Sequence, residues 1–439
     1  MTAWLIGATL AALALVPAGV HASDAMILGV QTHFAFTPPR TDAKAFRSWM
    51  ARARFTSARD EMFWWHVEGP AARLEMRQGA VVTRDIWRTM PAGFDPLLTL
   101  DFGYGAYDGG GQPRSAAARA AFARYAGFVV SQAQPQVRMV EVWNEWNLKS
   151  GARPEGGSNG DAADYVRLAS STYEAIKSRD AGVKVIVGGI GDDLPDWPWT
   201  RRAIALGLLT RADGLSVHLY NYCMAPGRVG ADELIERLDA LRAIMAAAGH
   251  SAVPVYVTEV GWPTHTGKCA VSEADAAAYA VRFMLEASLR PWVRGIWFYE
   301  LQDGGDDPAN REHHFGLLRR DGSEKPAGCA LRELGAQIAA RPRMIARVGG
   351  VTMARFAHGA MDRWILWPTS GSVDGSTVAA VTARPDLLRA LKPIPVCGLE
   401  QGSLAPQPDG RSAAVRLPPH AILVIDIPPA EALTLEALK

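Results

Sequence analysis

Eight short apolar, β-branched runs, alternating with longer helical stretches, constrain the fold of this chain more than any other feature. They are Met26–His33, Phe55–Asp60, Leu97–Phe102, Met139–Trp143, Val183–Gly189, Gly214–Tyr220, Val253–Glu259 and Gly295–Glu300. Between them lie Ala-rich amphipathic segments such as Ser115–Ala133, Asp161–Ser178, Ala231–Ala248 and Glu273–Ser288, with Arg and Glu on one face. This is the signature of repeated βα units around a parallel sheet. A doubly wound open sheet alternates in the same way, but no Gly-rich phosphate fingerprint follows the first run. The expectation is an α/β fold with a closed (β/α)8 TIM barrel over residues 23–340.

Beyond Arg341-Pro342 the pattern changes to short alternating segments, Val351–Phe356, Arg363–Trp367, Val378–Val381, Ala413–Leu417 and Ile422–Ile427, set off by Gly, Pro and Asp. They predict a small all-β, sandwich-like domain over residues 341–439. The tail Glu431–Lys439 shows no core partner and is expected to fray. At the other end, residues 2–20 are apolar and uncharged, and Val20-His21-Ala22 fits a signal-peptidase site before Ser23. The reading is a signal peptide over residues 1–22 and a periplasmic or secreted product. Because the segment carries no Lys or Arg, an uncleaved N-terminal anchor is the alternative.

The four cysteines, Cys223, Cys269, Cys329 and Cys397, would meet oxidising conditions after export. A Cys223–Cys269 bridge is the preferred pairing, four free thiols the alternative, and the spacing matches no metal site. A formal charge of +1 over 439 residues gives no field for nucleic acid, a membrane surface or a polyanion. A neutral partner, a monomer and no cofactor are expected.

The chemistry lies where runs end, since a barrel of this kind builds its site from the loops after its strands. Run four ends in Trp143-Asn144-Glu145-Trp146-Asn147 and run seven in Glu259-Val260-Gly261-Trp262. Two carboxylates facing one another across a barrel mouth suit a retaining glycosidase, in which one protonates the leaving oxygen and the other attacks the anomeric carbon. Glu145 is read as acid/base and Glu259 as nucleophile. Arg59, at the end of run two, and Tyr220, on run six, are candidates to stabilise an ionised Glu259. His218 shares a strand face with Tyr220. Asn144 is a candidate to hold a sugar hydroxyl.

Asn144-Glu145, His218-x-Tyr220, Glu259 and Trp297 in Gly295-Ile296-Trp297-Phe298-Tyr299 together resemble the clan A glycoside hydrolases. Phe315-Gly316-Leu317-Leu318 with Lys325-Pro326-Ala327 resembles that clan's return into the last barrel helix. The stretch Arg59-Asp60-Glu61-Met62-Phe63-Trp64-Trp65 and the appended β-module look most like family 39, which includes β-xylosidases, α-L-iduronidase and hydrolases of exopolysaccharide operons. Family 5 has similar motifs. The resemblance implies retention of configuration, with the same roles for Glu145 and Glu259.

Trp64, Trp65, Trp146, Trp262 and Trp297 lie at or beyond strand ends, where indole faces stack on sugar rings, and packing under loops is the other reading. Asp101, ending run three, is a candidate hydroxyl ligand, with a turn role as its alternative. The polar loop Gln302–His314 lacks calcium-loop periodicity and is read as a solvated loop without metal, with lining of the substrate cleft as the alternative. The leading expectation is an endo-acting hydrolase of a bacterial exopolysaccharide or another β-linked glycan. The alternatives are an exo-acting β-glycosidase or β-xylosidase, and a non-catalytic glycan-binding barrel partnering polysaccharide biosynthesis or export machinery.

Overall fold

A computed structural model describes residues 25–133, 136–151, 159–369 and 379–437. The expected leader, residues 1–22, lies outside them. β1 (Ile27–Gln31), β2 (Ser57–Phe63), β3 (Leu97–Asp101), β4 (Met139–Val142), β5 (Lys184–Ile190), β6 (Gly214–Leu219), β7 (Val255–Val260) and β8 (Val293–Phe298) form a closed barrel in sequence order. All neighbours run parallel, and β8 returns onto β1 through Ile27↔Gly295. The eight runs read from sequence are these eight strands.

Helices α1 (Ala43–Ala53), α2 (Gln78–Arg88), α3 (Ala116–Ala133), α4 (Ala162–Arg179), α5 (Pro198–Ala205), α6 (Ala231–Ala247), α7 (Glu273–Ser288) and α8 (Pro326–Ala339) connect the strands. Their starts are written in the sequence: Asp42, Asp161 and Ser272 accept from backbone N–H groups of the first turns of α1, α4 and α7. Pro326 opens α8, where its missing N–H costs nothing.

The barrel interior is layered. Leu97, Met139, Ile186, Tyr256 and Trp297 form a dry plug. The Trp297 ring fills space left by two glycines: a Cβ on Gly29 would lie 2.1 Å from its Cδ1, and one on Gly295 2.6 Å from its Cζ3. Above the plug, the inward positions of β1 to β4 turn polar, with Gln31, Arg59, Thr99 and Glu141 all buried. A period of two puts Ser57, Arg59 and Glu61 on one face of β2, climbing from plug to mouth. The Trp297 indole N–H donates to Ser57 at the bottom of that ladder.

The remaining strands are β9 (Met344–Val348), β10 (Val351–His358), β11 (Met361–Pro368), β12 (Ala379–Thr382), β13 (Ser403–Pro406), β14 (Ser412–Arg416), β15 (Leu423–Ile427) and β16 (Thr434–Ala437), with the short helix α9 (Pro385–Ala390) after β12. They make two four-stranded antiparallel sheets, ordered β15-β11-β10-β9 and β13-β14-β12-β16. Met353, Trp364 and Leu423 of one sheet share a core with Val381, Val415 and Leu435 of the other, as in a sandwich.

One expectation is corrected here. Over residues 431–437 the tail does not fray: Leu433 and Leu435 are buried, and β16 pairs antiparallel with β12. Two leucines alternating with Thr434 and Glu436 are a two-point strand signal, too short to stand out.

The barrel unit ends at Ala339 and takes in Cys397–Leu399; the sandwich unit begins at Ala340. Both pairs of cysteines are bridged, Cys223–Cys269 with Cα atoms 4.8 Å apart and Cys329–Cys397 with 5.7 Å. Among the described residues, no helix is long and apolar enough to cross a membrane.

Candidate active site

Trp143 and Glu145, flanking Asn144 after β4, both adopt left-handed backbone, with φ 69° and 49°. Such conformations cost L-residues of order 1 kcal/mol each and persist only when their surroundings dictate them. Here the Glu145 N–H donates to Gly189 O at 2.8 Å, and the Asn147 amide exchanges two 3.0 Å bonds with the backbone of Gly191. Asn147 is thus a clamp that ties the β4 loop to the end of β5. It does not shape the substrate side.

The clamp aims Glu145 into the mouth. One Glu145 oxygen accepts from Ser150 Oγ at 2.7 Å, and the other lies 3.1 Å from His218 Nδ1. Glu259, near the end of β7, accepts from Arg59 Nη1 on Oε1 and from Tyr220 OH on Oε2, both at 2.7 Å. His218 Nδ1 is also 3.4 Å from Glu259. An oxygen of each glutamate and a ring nitrogen of His218 fall within 4.8 Å of one another. Three such ligands could grip a cation, but the Arg59 guanidinium already supplies positive charge to Glu259.

Arg59 organises the floor. It is wholly buried and donates through Nε to Glu141 at 2.7 Å, through Nη1 to Gln31 as well as Glu259, and through Nη2 to Asn144 Oδ1 at 2.8 Å. A guanidinium fork can serve several acceptors in one plane, which an ammonium cannot. With its oxygen taken by Arg59, Asn144 has its amide nitrogen free to present to the cavity.

Burial pushes Glu259 up, against the opposing pull of His218 and Arg59. Burial also acts on Glu145, but the His218 hydrogen bond and charge and the Ser150 hydroxyl outweigh it and hold that carboxyl below its usual range. Double displacement asks for the reverse order at the moment of attack. The charge of Glu145 adds to the upward push on Glu259, so the two carboxyl groups titrate as an interacting pair.

The cavity above this pair measures about 860 Å³. Arg59 and His218 lie beneath its floor, while Asn144, Glu145, Tyr220 and Glu259 face it directly. Of the five tryptophans expected there, only Trp65 lines it; 38% exposed, it stacks on Phe63 with centroids 4.6 Å apart. Trp64 packs among Tyr107, Phe122 and Tyr125 and donates to Glu68. Trp146 packs on Trp143 and Tyr165, and Trp262 donates to Asn221. Trp297 is the plug already described, one inward layer too deep. Asp101 is wholly buried and absent from the cavity wall.

At cavity level it is Tyr299, the residue just beyond β8, that lines the wall. The wall also includes Phe36, Phe102, Tyr222 and Phe315, together with His33 and Glu61. None of these was singled out by sequence as a cavity residue, although Glu61 and Phe315 stand in the stretches that carry the family resemblance. Arg311 and Glu312 of the Gln302–His314 loop reach the cavity, whereas Asp303 pairs with Lys325 at 2.7 Å.

No protein-family model and no curated protein matches the sequence. Solved structures match in fold. A family 39 glycoside hydrolase from the gut symbiont Bacteroides cellulosilyticus superposes with TM-score 0.67 at 21% identity, over 93% of this chain and 82% of that one. A GH39 β-xylosidase from Caulobacter crescentus gives 0.62 at 16% identity, over 95% and 99%. The GH39 enzyme from Xanthomonas axonopodis pv. citri gives 0.59 at 17%, over 96% of both chains. The chain therefore has the barrel-plus-β-domain fold of solved family 39 glycoside hydrolases.

Proposed function

We propose that this protein is a retaining glycoside hydrolase in which Glu259 attacks the anomeric carbon and Glu145 first protonates the leaving oxygen, then activates water. The observation that carries the reading is that one oxygen of each carboxylate lies within 4.8 Å of the other at the floor of an open cavity. Retention needs carboxyl groups about 5–5.5 Å apart, whereas inversion leaves about 6.5–9.5 Å for a water. Role assignment rests on restraint. Both Glu259 oxygens are held by donors, Arg59 and Tyr220, which favours a fixed attacking carboxylate. Glu145 leans on a rim serine and a histidine and is the more exposed of the two, as a proton carrier meeting leaving group and then water should be.

The substrate class that fits is a β-linked neutral glycan, cut internally, with bacterial exopolysaccharide as its natural setting and export through the apolar N-terminal segment as the route to it. An exo-acting β-xylosidase is the second reading, favoured by the fold match to the Caulobacter crescentus enzyme. The test is product analysis on defined β-glycans, with NMR of the first-formed anomer. Oligosaccharide products of retained configuration support the proposal; an inverted first product overturns the mechanism, and single-sugar release alone selects the second reading.

A further inference from the structure

Resting on the hydrolase reading, we infer that the barrel mouth holds a second saccharide chamber on the glycone side of the catalytic pair, built for a neutral second sugar residue. A cavity of about 380 Å³ adjoins the main one and shares four of its wall residues, His33, Arg40, Tyr299 and Glu312. Glu300, Gly304, Asn310 and His313 complete it. Its walls come from the loops after β1 and β8. In an eight-stranded barrel these lie opposite β4, which carries Glu145. The acid sits beside the glycosidic oxygen, so the leaving group exits over the β4–β5 side, past Ser150 and Asp192. A chamber at β1 and β8 therefore receives what lies on the other side of the anomeric carbon.

Its chemistry is that of hydroxyl recognition. Glu300 Oε2 is bonded to His33 Nε2 at 2.8 Å and His33 Nδ1 faces Glu61 Oε2 at 3.8 Å, whereas Glu300 Oε1 is buried without a hydrogen-bond partner among the described residues. Buried polar atoms are rarely left unpaired, and a sugar hydroxyl can both donate and accept. Arg40 is exposed, lies over Phe36 at 4.1 Å, and makes no ion pair among the described residues. Its donors are therefore available on the wall common to both cavities. Glu61, Glu300 and Glu312 line the two spaces against Arg40 and Arg311, and Arg311 is already bridged to Glu312 at 2.8 Å. His33, held between Glu61 and Glu300, which outweigh its burial and raise it well above its usual range, balances these charges, so the walls favour no charged sugar and a neutral one fits.

4-Nitrophenyl β-xyloside and β-glucoside, set against the corresponding β-xylobioside and β-cellobioside, test this in the full-length protein, since nitrophenol release places the saccharide on the glycone side. At least one bioside should be cleaved with kcat/KM tenfold or more above its monoside. Arg40→Ala and His313→Ala should each cut that ratio at least fivefold. Monosides cleaved as well as biosides, or a ratio unmoved by both variants, overturn the chamber. Calorimetric titration with xylobiose and cellobiose separates the two readings. Disaccharide binding that weakens in both variants, without nitrophenol release, overturns the hydrolase and keeps the chamber; absence of both binding and release overturns both.

Discussion

Arg59 Nη1 and Glu259 Oε1 are joined at 2.7 Å, and the guanidinium that makes this bond holds Glu141 at the same distance from its Nε. The arrangement places one buried cation between two carboxylates, one structural and one at the cavity. Loss of the charge on Glu259 leaves Arg59 with Glu141 as counter-ion, whereas loss of Arg59 strands Glu141 in the barrel interior.

The Glu259→Gln variant should therefore fold normally, with a melting temperature close to that of the unmodified protein, while kcat falls by at least about 10³-fold because the amide cannot form the glycosyl ester. Thermal melts and turnover of an aryl glycoside check the two halves separately. Residual activity within tenfold would remove Glu259 from the nucleophile role.

Arg59→Met should behave differently. Breaking a fully buried pair by removing one partner costs about 3–5 kcal/mol. Urea unfolding of Arg59→Met should show a loss in that range. Adding Glu141→Leu should restore most of the stability without restoring activity, because Glu259 and Asn144 still lack their donor. A double variant no more stable than the single would show that the cost lies elsewhere.

His218 supplies a pH prediction whose sign follows from its position. Its hydrogen bond and charge lower Glu145, and its charge lowers Glu259. Replacing it with Leu removes both effects, so both carboxyl groups should titrate at higher pH. The two limbs of kcat/KM, which report the two ionisations of this carboxylate pair in the free enzyme, should both move up the pH axis. A profile that stays in place, or shifts toward acid, would contradict the placement of His218 between the two glutamates.

Much of this was legible because barrels repeat. Eight buried runs with helices between them point to a closed barrel, and strand ends locate a mouth, so Glu145, Glu259, Arg59 and Tyr220 could be brought together from the sequence. What failed was depth. Tryptophan near a strand end reads alike whether its ring rises to the cavity or fills the plug, and the difference for Trp297 lies in Gly29 and Gly295, on two strands far apart in sequence. His33 and Glu300 end the first and last runs but were passed over for a related reason: their partnership spans the whole barrel sequence, a separation no local pattern reports.

The two roles of tryptophan separate in one paired experiment. Trp65→Ala removes an exposed indole from the cavity wall and touches little of the core, so KM should rise roughly fivefold, the equivalent of about 1 kcal/mol of stacking, with stability nearly unchanged. Trp297→Phe leaves a void against Gly29 and Gly295 and strips Ser57 of its donor. It should cost about 2–3 kcal/mol in urea unfolding while KM stays within twofold, because the ring lies beneath the floor and touches no substrate. Gly29→Ala, in turn, should destabilise the unmodified protein by about 1–3 kcal/mol through its clash with the indole. The same change should cost distinctly less in the Trp297→Phe background, since the smaller ring vacates part of the space the new methyl needs. Equal costs in the two backgrounds would mean that the plug does not pack as described, and a KM raised by Trp297→Phe would return that residue to the sugar site.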